Sequence, residues 1–157
     1  KKTMNEGPLV KGNPLRITVY SLVIGYLFGE FMLPKYSLIY VINLIGIIGL
    51  ITSLFFFFSG FNIFKSYDEN PVPTSISIKL IKTGIFAYTR NPIYLSFVLF
   101  HLSMFFIFEN IMYFLSCLGL IYWIHNYVIK PEEEYLLKKF TDEYERYMQA
   151  VSRWIFF

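Results

Sequence analysis

Four apolar runs dominate the chain, and each is long enough to limit what the chain can fold into. They cover residues 15–33, 36–64, 92–108 and 111–129, and Arg16 and Glu30 are the only charged residues within them. A transmembrane helix needs about 20 apolar residues, with a range of about 17–25. The sequence therefore predicts an all-α membrane protein with four transmembrane helices. The second run is longer than a span requires, so we expect a bend or an end at Gly46, Gly49 or Gly60.

Composition agrees with a membrane environment. Hydrophobic residues make up 55% of the chain and aromatic residues 21%, whereas soluble domains average about 45–50% apolar residues even when glycine is counted. A length of 157 residues suits one domain. We predict a single membrane domain over residues 1–157, with a cytoplasmic loop at 65–91 that binds a ligand and an amphipathic helix at 131–150.

Positive charge is distributed asymmetrically between the loops. Every Lys and Arg except Lys35 lies before the first run or at its start, follows the fourth, or lies between the second and third. Positively charged loops stay on the cytoplasmic side, which predicts that both termini and the 65–91 loop are cytoplasmic. The opposite connections are too short to hold a domain, so we expect the chemistry on the cytoplasmic side. The net charge of +3 suits an anionic membrane leaflet and gives no reason to expect nucleic acid.

Cysteine content limits the chemistry further. The single Cys117 lies inside the fourth run, which excludes an intrachain disulfide and a cysteine-based metal cluster. We interpret it as a small packing residue and predict no metal site.

The 65–91 loop contains strong helix-breaking and turn signals. Pro71 and Pro73 prevent a continuous helix, and residues 75–81 alternate between polar and apolar types, as in an extended stretch at a membrane interface. Gly84 permits a turn with positive φ. Pro92 suits the first position of the third helix. The N-terminus of that helix offers free N–H groups to an anionic ligand group.

The C-terminal segment has the pattern of an amphipathic helix. Pro131 suits its first turn, and the acids that follow favour the positive end of the helix dipole. One face carries an apolar stripe formed by Leu136, Phe140, Tyr144, Tyr147 and Val151. We expect this helix, with a break near Thr141, to lie on the bilayer or fold over the bundle.

Together the two segments resemble the core signature of the integral-membrane isoprenylcysteine carboxyl methyltransferase and phospholipid methyltransferase superfamily. The first block of that signature is matched by Gly84, Arg90, Asn91, Pro92 and Tyr94. The second is matched in register by Glu132, Glu133, Leu136, Phe140, Tyr144, Tyr147, Val151, Arg153 and Trp154. The similarity extends from Ile78 to Trp154.

The chain departs from that signature at several positions. Asn91 stands where eukaryotic members have His, Thr141 replaces the usual Gly, and Ser152 replaces Pro. Val128 occupies the place where the prenylcysteine enzymes have a substrate-binding arginine. This last difference argues against a carboxyl-bearing prenylated substrate and leaves the cofactor residues in place.

The resemblance implies methyl transfer from S-adenosylmethionine to a lipophilic acceptor in the membrane, such as a prenylcysteine carboxylate, a phospholipid amine or a thiol. Aromatic rings suit a sulfonium cation, and Glu132 is expected to bind the cofactor's amino group or ribose. The expected cofactor-binding residues are Ile78, Lys79, Leu80, Ile81, Gly84, Phe86, Tyr88, Arg90, Asn91, Pro92, Ile93, Tyr94, Glu132 and Glu133.

Arg90 and His125 are the candidate catalytic residues. Arg90 is expected to pair with the cofactor's carboxylate; its alternatives are an interfacial anchor and a salt bridge with Glu132 or Glu133. His125 is the candidate base if the acceptor is an amine. His101, within the third run, suits either a neutral hydrogen-bonded role or a substrate cavity.

Two other classes of protein remain compatible with the sequence. A membrane reductase of the steroid-reductase type, dependent on NADPH, has a distantly similar C-terminal block, but the order Arg-Asn-Pro-x-Tyr and the paired glutamates argue against it. A non-enzymatic scaffold is the second alternative. Nearly charge-free spans make a poor ion path.

Overall fold

The computed structural model describes residues 7–32 and 40–155. Within these residues the chain forms five α-helices and no strand, which confirms the all-α prediction. The described part leaves out residues 1–6, 33–39 and 156–157. The connection around Lys35 and the span ends on either side of it fall within 33–39.

The helices match the apolar runs closely. Helix α1 covers Pro14–Met32, α2 covers Tyr40–Ser66, α3 covers Pro92–Phe108 and α4 covers Ile111–Ile124. α1, α2 and the continuous helix that begins with α4 are long and apolar enough to cross a membrane. α3 has 17 residues, at the lower limit of the usual range for a span. Many of the large apolar side chains on α1 and α2 are exposed, as expected of a surface that faces lipid.

Helix α2 continues through its glycines to Ser66, so the expected end at Gly46, Gly49 or Gly60 is wrong. Gly46, Gly49 and Gly60 instead lie against α3. A Cβ added to Gly49 would come within 2.6 Å of Ser103 Oγ, and one added to Gly60 within 2.9 Å of Ile93 Cγ1. The absence of side chains therefore allows the backbones of α2 and α3 to approach closely, as small residues do between membrane helices.

His101 joins two helices inside the bundle. It is fully buried, and its Nε2 lies 2.6 Å from Ser21 Oγ of α1 while its Nδ1 lies 3.1 Å from the Phe97 carbonyl. A carbonyl oxygen can only accept, so Nδ1 must carry the ring proton. Nε2 of the neutral ring then accepts from the Ser21 hydroxyl. This geometry fits the neutral, hydrogen-bonded role.

The fourth span and the C-terminal helix are not separate helices. Helix α4 passes through a π-helical turn, His125–Ile129, directly into α5, which covers Lys130–Ala150. In a regular α-helix the ring of Pro131 would clash with the carbonyl four residues earlier, and the wider π turn relieves that clash. The span and the C-terminal helix are therefore one continuous structure.

Helix α5 is kinked at Thr141, which confirms the expected break. Thr141 has φ 43° and ψ −118°, a combination that costs a residue with a Cβ about 1–3 kcal/mol. Beyond the kink, Tyr144 and Tyr147 of the apolar stripe are buried. The kink folds the helix end back towards the start of α3.

We expect Thr141→Gly to raise the stability of the protein. Glycine adopts this conformation without strain, so the gain should be about 1–2 kcal/mol after the entropic cost of glycine. Thermal unfolding in one detergent should show a higher midpoint for Thr141→Gly. Thr141→Ala keeps the Cβ and should show no such gain; equal gains in both variants would contradict the strain explanation.

Candidate active site

A cavity lies where the 65–91 loop meets the first turns of α3 and α5. It encloses about 890 Å³ of space, a figure that includes its open mouth. Eleven of the expected cofactor-binding residues line it: Lys79, Leu80, Ile81, Phe86, Arg90, Asn91, Pro92, Ile93, Tyr94, Glu132 and Glu133. Residues from two distant segments therefore share one cavity.

Four expected site residues lie elsewhere. Ile78 and Tyr88 are each 73% exposed and do not line the cavity, because their side chains point outward from the loop. Gly84 has φ +59° and lies against Ile63, so it shapes the turn as predicted without facing the cavity. His125 lies 3.4 Å from Arg153 Nη1 and also does not line the cavity.

Glu132 faces the cavity with a single hydrogen-bonding partner in the described residues. The Tyr94 hydroxyl donates to both carboxylate oxygens, at 2.9 and 3.0 Å. Burial among protein atoms raises the pKa of Glu132 to about 8, and the charge of Glu133 adds to this effect while the Tyr94 bond opposes it. Across the parts of the chain that the structure describes, no cation pairs with this acid. A half-buried carboxylate of this kind is suited to a positively charged ligand.

Glu133, the next residue, has the opposite environment. Its Oε1 accepts from Arg90 Nη2 at 2.8 Å and from Arg153 Nε at 3.0 Å. Its Oε2 accepts from Arg153 Nη2 at 2.5 Å. The side chains of Glu133 and Arg90 are 10% and 9% exposed. The carboxylate also raises the pKa of Arg153 by accepting its hydrogen bonds. Glu133 is thus neutralised by two guanidinium groups and serves the structure of the site.

Arg90 ties the loop to the C-terminal segment. Besides Glu133, its Nη1 donates to the carbonyls of Met148 and Val151 at 2.9 and 3.0 Å. Its backbone N–H donates to the Ser152 carbonyl at 3.0 Å. These contacts match the salt-bridge alternative and use most of the donors that a cofactor carboxylate would need. Nε of Arg90 is buried without a partner in the described chain.

The neighbours of Arg90 reinforce this connection. The Thr89 hydroxyl and the Asn91 side-chain amide both donate to the Arg153 carbonyl, at 3.1 and 3.0 Å. Asn91 therefore has a structural contact with the C-terminal segment. Hydrogen bonds therefore join the residues before α3 to the segment 151–153 that follows α5.

Sequence reasoning missed one wall of the cavity. Residues 69–77 contribute Glu69, Asn70, Pro71, Val72, Pro73, Ser75 and Ser77 to the lining, and α5 adds Tyr135, Leu136, Tyr144 and Tyr147. The alternation at 75–81 was the available signal, because it required one edge to face inward. The stripe containing these tyrosines was expected to face the bilayer or the bundle, but their position at the cavity depends on the Thr141 kink.

Two of these tyrosines give the cavity an aromatic wall. Burial raises the pKa of both Tyr144 and Tyr147 above the ordinary value, so both remain neutral phenols. The Tyr147 hydroxyl donates to the Phe86 carbonyl at 2.6 Å, which holds the 3₁₀ turn Gly84–Ala87 against α5. Faces of aromatic rings attract cations. The wall therefore complements Glu132 in favouring a positively charged ligand.

Comparison with known proteins connects these residues to a protein family. The family model of phospholipid methyltransferases matches residues 38–143, more than half of the chain, including Arg90, Tyr94, Glu132 and Glu133. No curated protein matches the chain. The matched family lies within the superfamily that the two sequence blocks resemble. The chain belongs to the phospholipid methyltransferase family.

Proposed function

We propose that the protein is a membrane methyltransferase that uses S-adenosylmethionine and methylates a lipophilic acceptor. Family membership supports methyl transfer. The observation that carries the choice of cofactor is Glu132, a carboxylate that lines the cavity and whose one partner among the described residues is the Tyr94 phenol. S-adenosylmethionine carries positive charge at its sulfonium and at its amino group. It therefore supplies the positive partner that the Glu132 carboxylate lacks among the described residues.

The residues present fit that cofactor. Glu132 accepts from the amino group or from the ribose hydroxyls, and the rings of Phe86, Tyr144 and Tyr147 offer apolar and cation-attracting surfaces. When bound, the cofactor supplies an electrophilic methyl group on sulfur. No metal is needed to activate that methyl group.

The chain's own contribution is positioning. Tyr94 holds the Glu132 carboxylate through both oxygens, and the Glu133 pair with Arg90 and Arg153 holds α5 against α3. Fixing donor and acceptor at near-attack distance is worth about 7–11 kcal/mol of the barrier, and a closed site excludes water. His125 has no part in this proposal, because it faces Arg153 instead of the cavity.

The cavity is assigned to the cytoplasmic side of the membrane. It is built by the two segments that carry most of the basic residues, and positively charged segments remain in the cytoplasm. The acceptor reaches this side from the inner leaflet. A phospholipid amine is favoured over a prenylated carboxylate, since Val128 replaces the arginine expected for the latter.

Two measurements test the proposed function. Calorimetry on detergent-solubilised protein should show binding of S-adenosylmethionine and none of NADPH; the reverse would support a reductase, and binding of neither would support a scaffold. Mass spectrometry of lipid and thiol extracts incubated with methyl-labelled cofactor should then show which acceptor gains the label.

Lys79 is the cation available for the cofactor's carboxylate. It lines the cavity, its Nζ donates only to the Tyr67 carbonyl at 3.1 Å, and it has no acidic partner among the residues that the structure covers. Arg90, the other lining cation, is already bound to Glu133. We therefore expect Lys79→Gln to weaken S-adenosylmethionine binding about three- to fivefold, a modest effect because the lysine is exposed.

A cofactor analogue without the carboxylate tests whether Lys79 binds that group. Decarboxylated S-adenosylmethionine should bind Lys79→Gln and the wild-type protein equally, because the lost contact is absent from both complexes. Lys82→Gln is the control, since Lys82 pairs with Glu143 and does not line the cavity. Unchanged cofactor affinity with a raised KM for a phospholipid acceptor would instead assign Lys79 to the lipid phosphate.

A further inference from the structure

The loop segment that covers the cavity has two different edges. We name residues 70–79 the cavity strap. Pro71, Pro73, Ser75 and Ser77 are half-buried and line the cavity. Asn70, Val72 and Lys79 also line it, whereas Ile76 and Ile78 are 45% and 73% exposed and do not line the cavity. The strap thus forms part of the cavity lining and carries two exposed isoleucines outside it.

Hydrogen bonds fix this orientation. The Glu69 carboxylate accepts from the Ile78 N–H at 2.9 and 3.0 Å and from the Lys79 N–H at 2.5 Å. The Ser77 N–H donates to the Tyr135 hydroxyl of α5 at 3.3 Å. Rotating the strap to bury its isoleucines would break these bonds. Their exposure is therefore built into the fold and needs a partner.

The position of the strap indicates which partner. It follows the end of α2, whose outer surface near that end carries exposed Phe58 and Phe61, 58% and 46% exposed. It also precedes Tyr88, which is 73% exposed. Exposed aliphatic residues beside a transmembrane helix, with a tyrosine nearby, are typical of the membrane interface. These features together favour the membrane interface as the partner of the strap.

We propose that the cavity strap is a membrane-binding element whose isoleucine edge inserts into the lipid interface while its inner edge forms the wall of the cavity. The strap is then a thin partition between the bilayer and the site. This placement goes beyond methyl transfer and holds whichever small molecule the cavity takes.

Spin labelling tests the proposal without any ligand. Cys117→Ala removes the native thiol, and single Ile76→Cys and Ile78→Cys variants receive a nitroxide in nanodiscs of phosphatidylethanolamine and phosphatidylglycerol. Power saturation compares accessibility to oxygen, which concentrates in lipid, with accessibility to a water-soluble nickel complex. Both strap labels should favour oxygen, as should a reference label from Phe58→Cys on α2. A label from Glu145→Cys on the exposed polar face of α5 should favour nickel.

Two results would overturn the proposal. Strap labels that match the Glu145→Cys label would place the isoleucines in the cytosol, and labels shielded from both reagents would place them against another protein surface. If a cysteine variant does not fold, Ile78→Trp keeps an apolar side chain. Its added fluorescence, relative to wild type, should be quenched by brominated phospholipid, and an absence of quenching would contradict lipid contact.

Discussion

Glu132→Gln should weaken binding of S-adenosylmethionine by at least tenfold. The substitution keeps the size of the side chain and removes its charge, and a hydrogen bond to a charged group contributes about 1.5–3 kcal/mol. Calorimetry on the solubilised protein measures the loss directly. Folding should survive, because glutamine resembles the protonated acid that burial favours at this position.

A neighbouring acid provides the matched control. Glu134 lies in the same turn of α5 and is exposed, so Glu134→Gln should leave the affinity unchanged. Wild-type affinity in Glu132→Gln would remove this residue from the site and with it the observation on which the choice of cofactor depends.

The same carboxyl predicts a pH dependence. A cationic ligand needs ionised Glu132, whose pKa is about 8, so affinity should rise about tenfold per pH unit from pH 6 towards pH 8 and then level off. Binding at pH 7 should release a proton, seen as heats that differ between buffers of different ionisation enthalpy. Glu132→Gln should lose both effects.

Stability changes with pH in the opposite direction. The folded protein keeps the Glu132 proton up to about pH 8, whereas the unfolded chain loses it near the ordinary value of 4.5. This contribution to stability therefore falls as pH rises between those values and is absent above pH 8. Above pH 8 Glu132→Gln should be at least as stable as the wild-type protein.

Glu133→Gln should instead destabilise the protein strongly. It leaves Arg90 and Arg153 without their shared carboxylate, and removing one partner of a buried ion pair costs about 3–5 kcal/mol. The midpoint of thermal unfolding, measured without ligand in one detergent, should fall by several degrees. Two adjacent glutamates would then differ completely, one affecting ligand affinity and the other affecting stability.

Arg90→Lys separates charge from geometry in this network. Lysine keeps the charge but cannot reach Glu133 and two backbone carbonyls with a planar fork. We expect lower stability and, through the loosened cavity wall, lower cofactor affinity. Arg16 is exposed on α1, so Arg16→Lys is the control for a simple interfacial anchor. Wild-type stability in both lysine variants, and in Glu133→Gln, would contradict a structural role for the network.

Much of the fold could be predicted from local sequence, because lipid imposes its own constraints. A charge-free run must form a helix to satisfy its backbone, and α1, α2, α3 and α4 follow those runs closely. The start of α3 at Pro92 and the positive φ of Gly84 were also local properties. Each depends on the chemistry of a few consecutive residues.

The partners within the site depended on tertiary structure alone. Glu132 and Glu133 are adjacent and identical in type, yet their environments differ because a helix turns about 100° between neighbouring residues. Which acid meets Arg90 is decided by a contact 43 residues distant in sequence, and the contacts of Arg90 with Met148 and Val151 require the kink at Thr141. The runs and turns of the sequence determined the helices and the two polar segments between and after them. The packing of the two segments against each other determined which acid faces the cavity, because that choice depends on the rotation and bending of α5 relative to α3, and local sequence does not specify either.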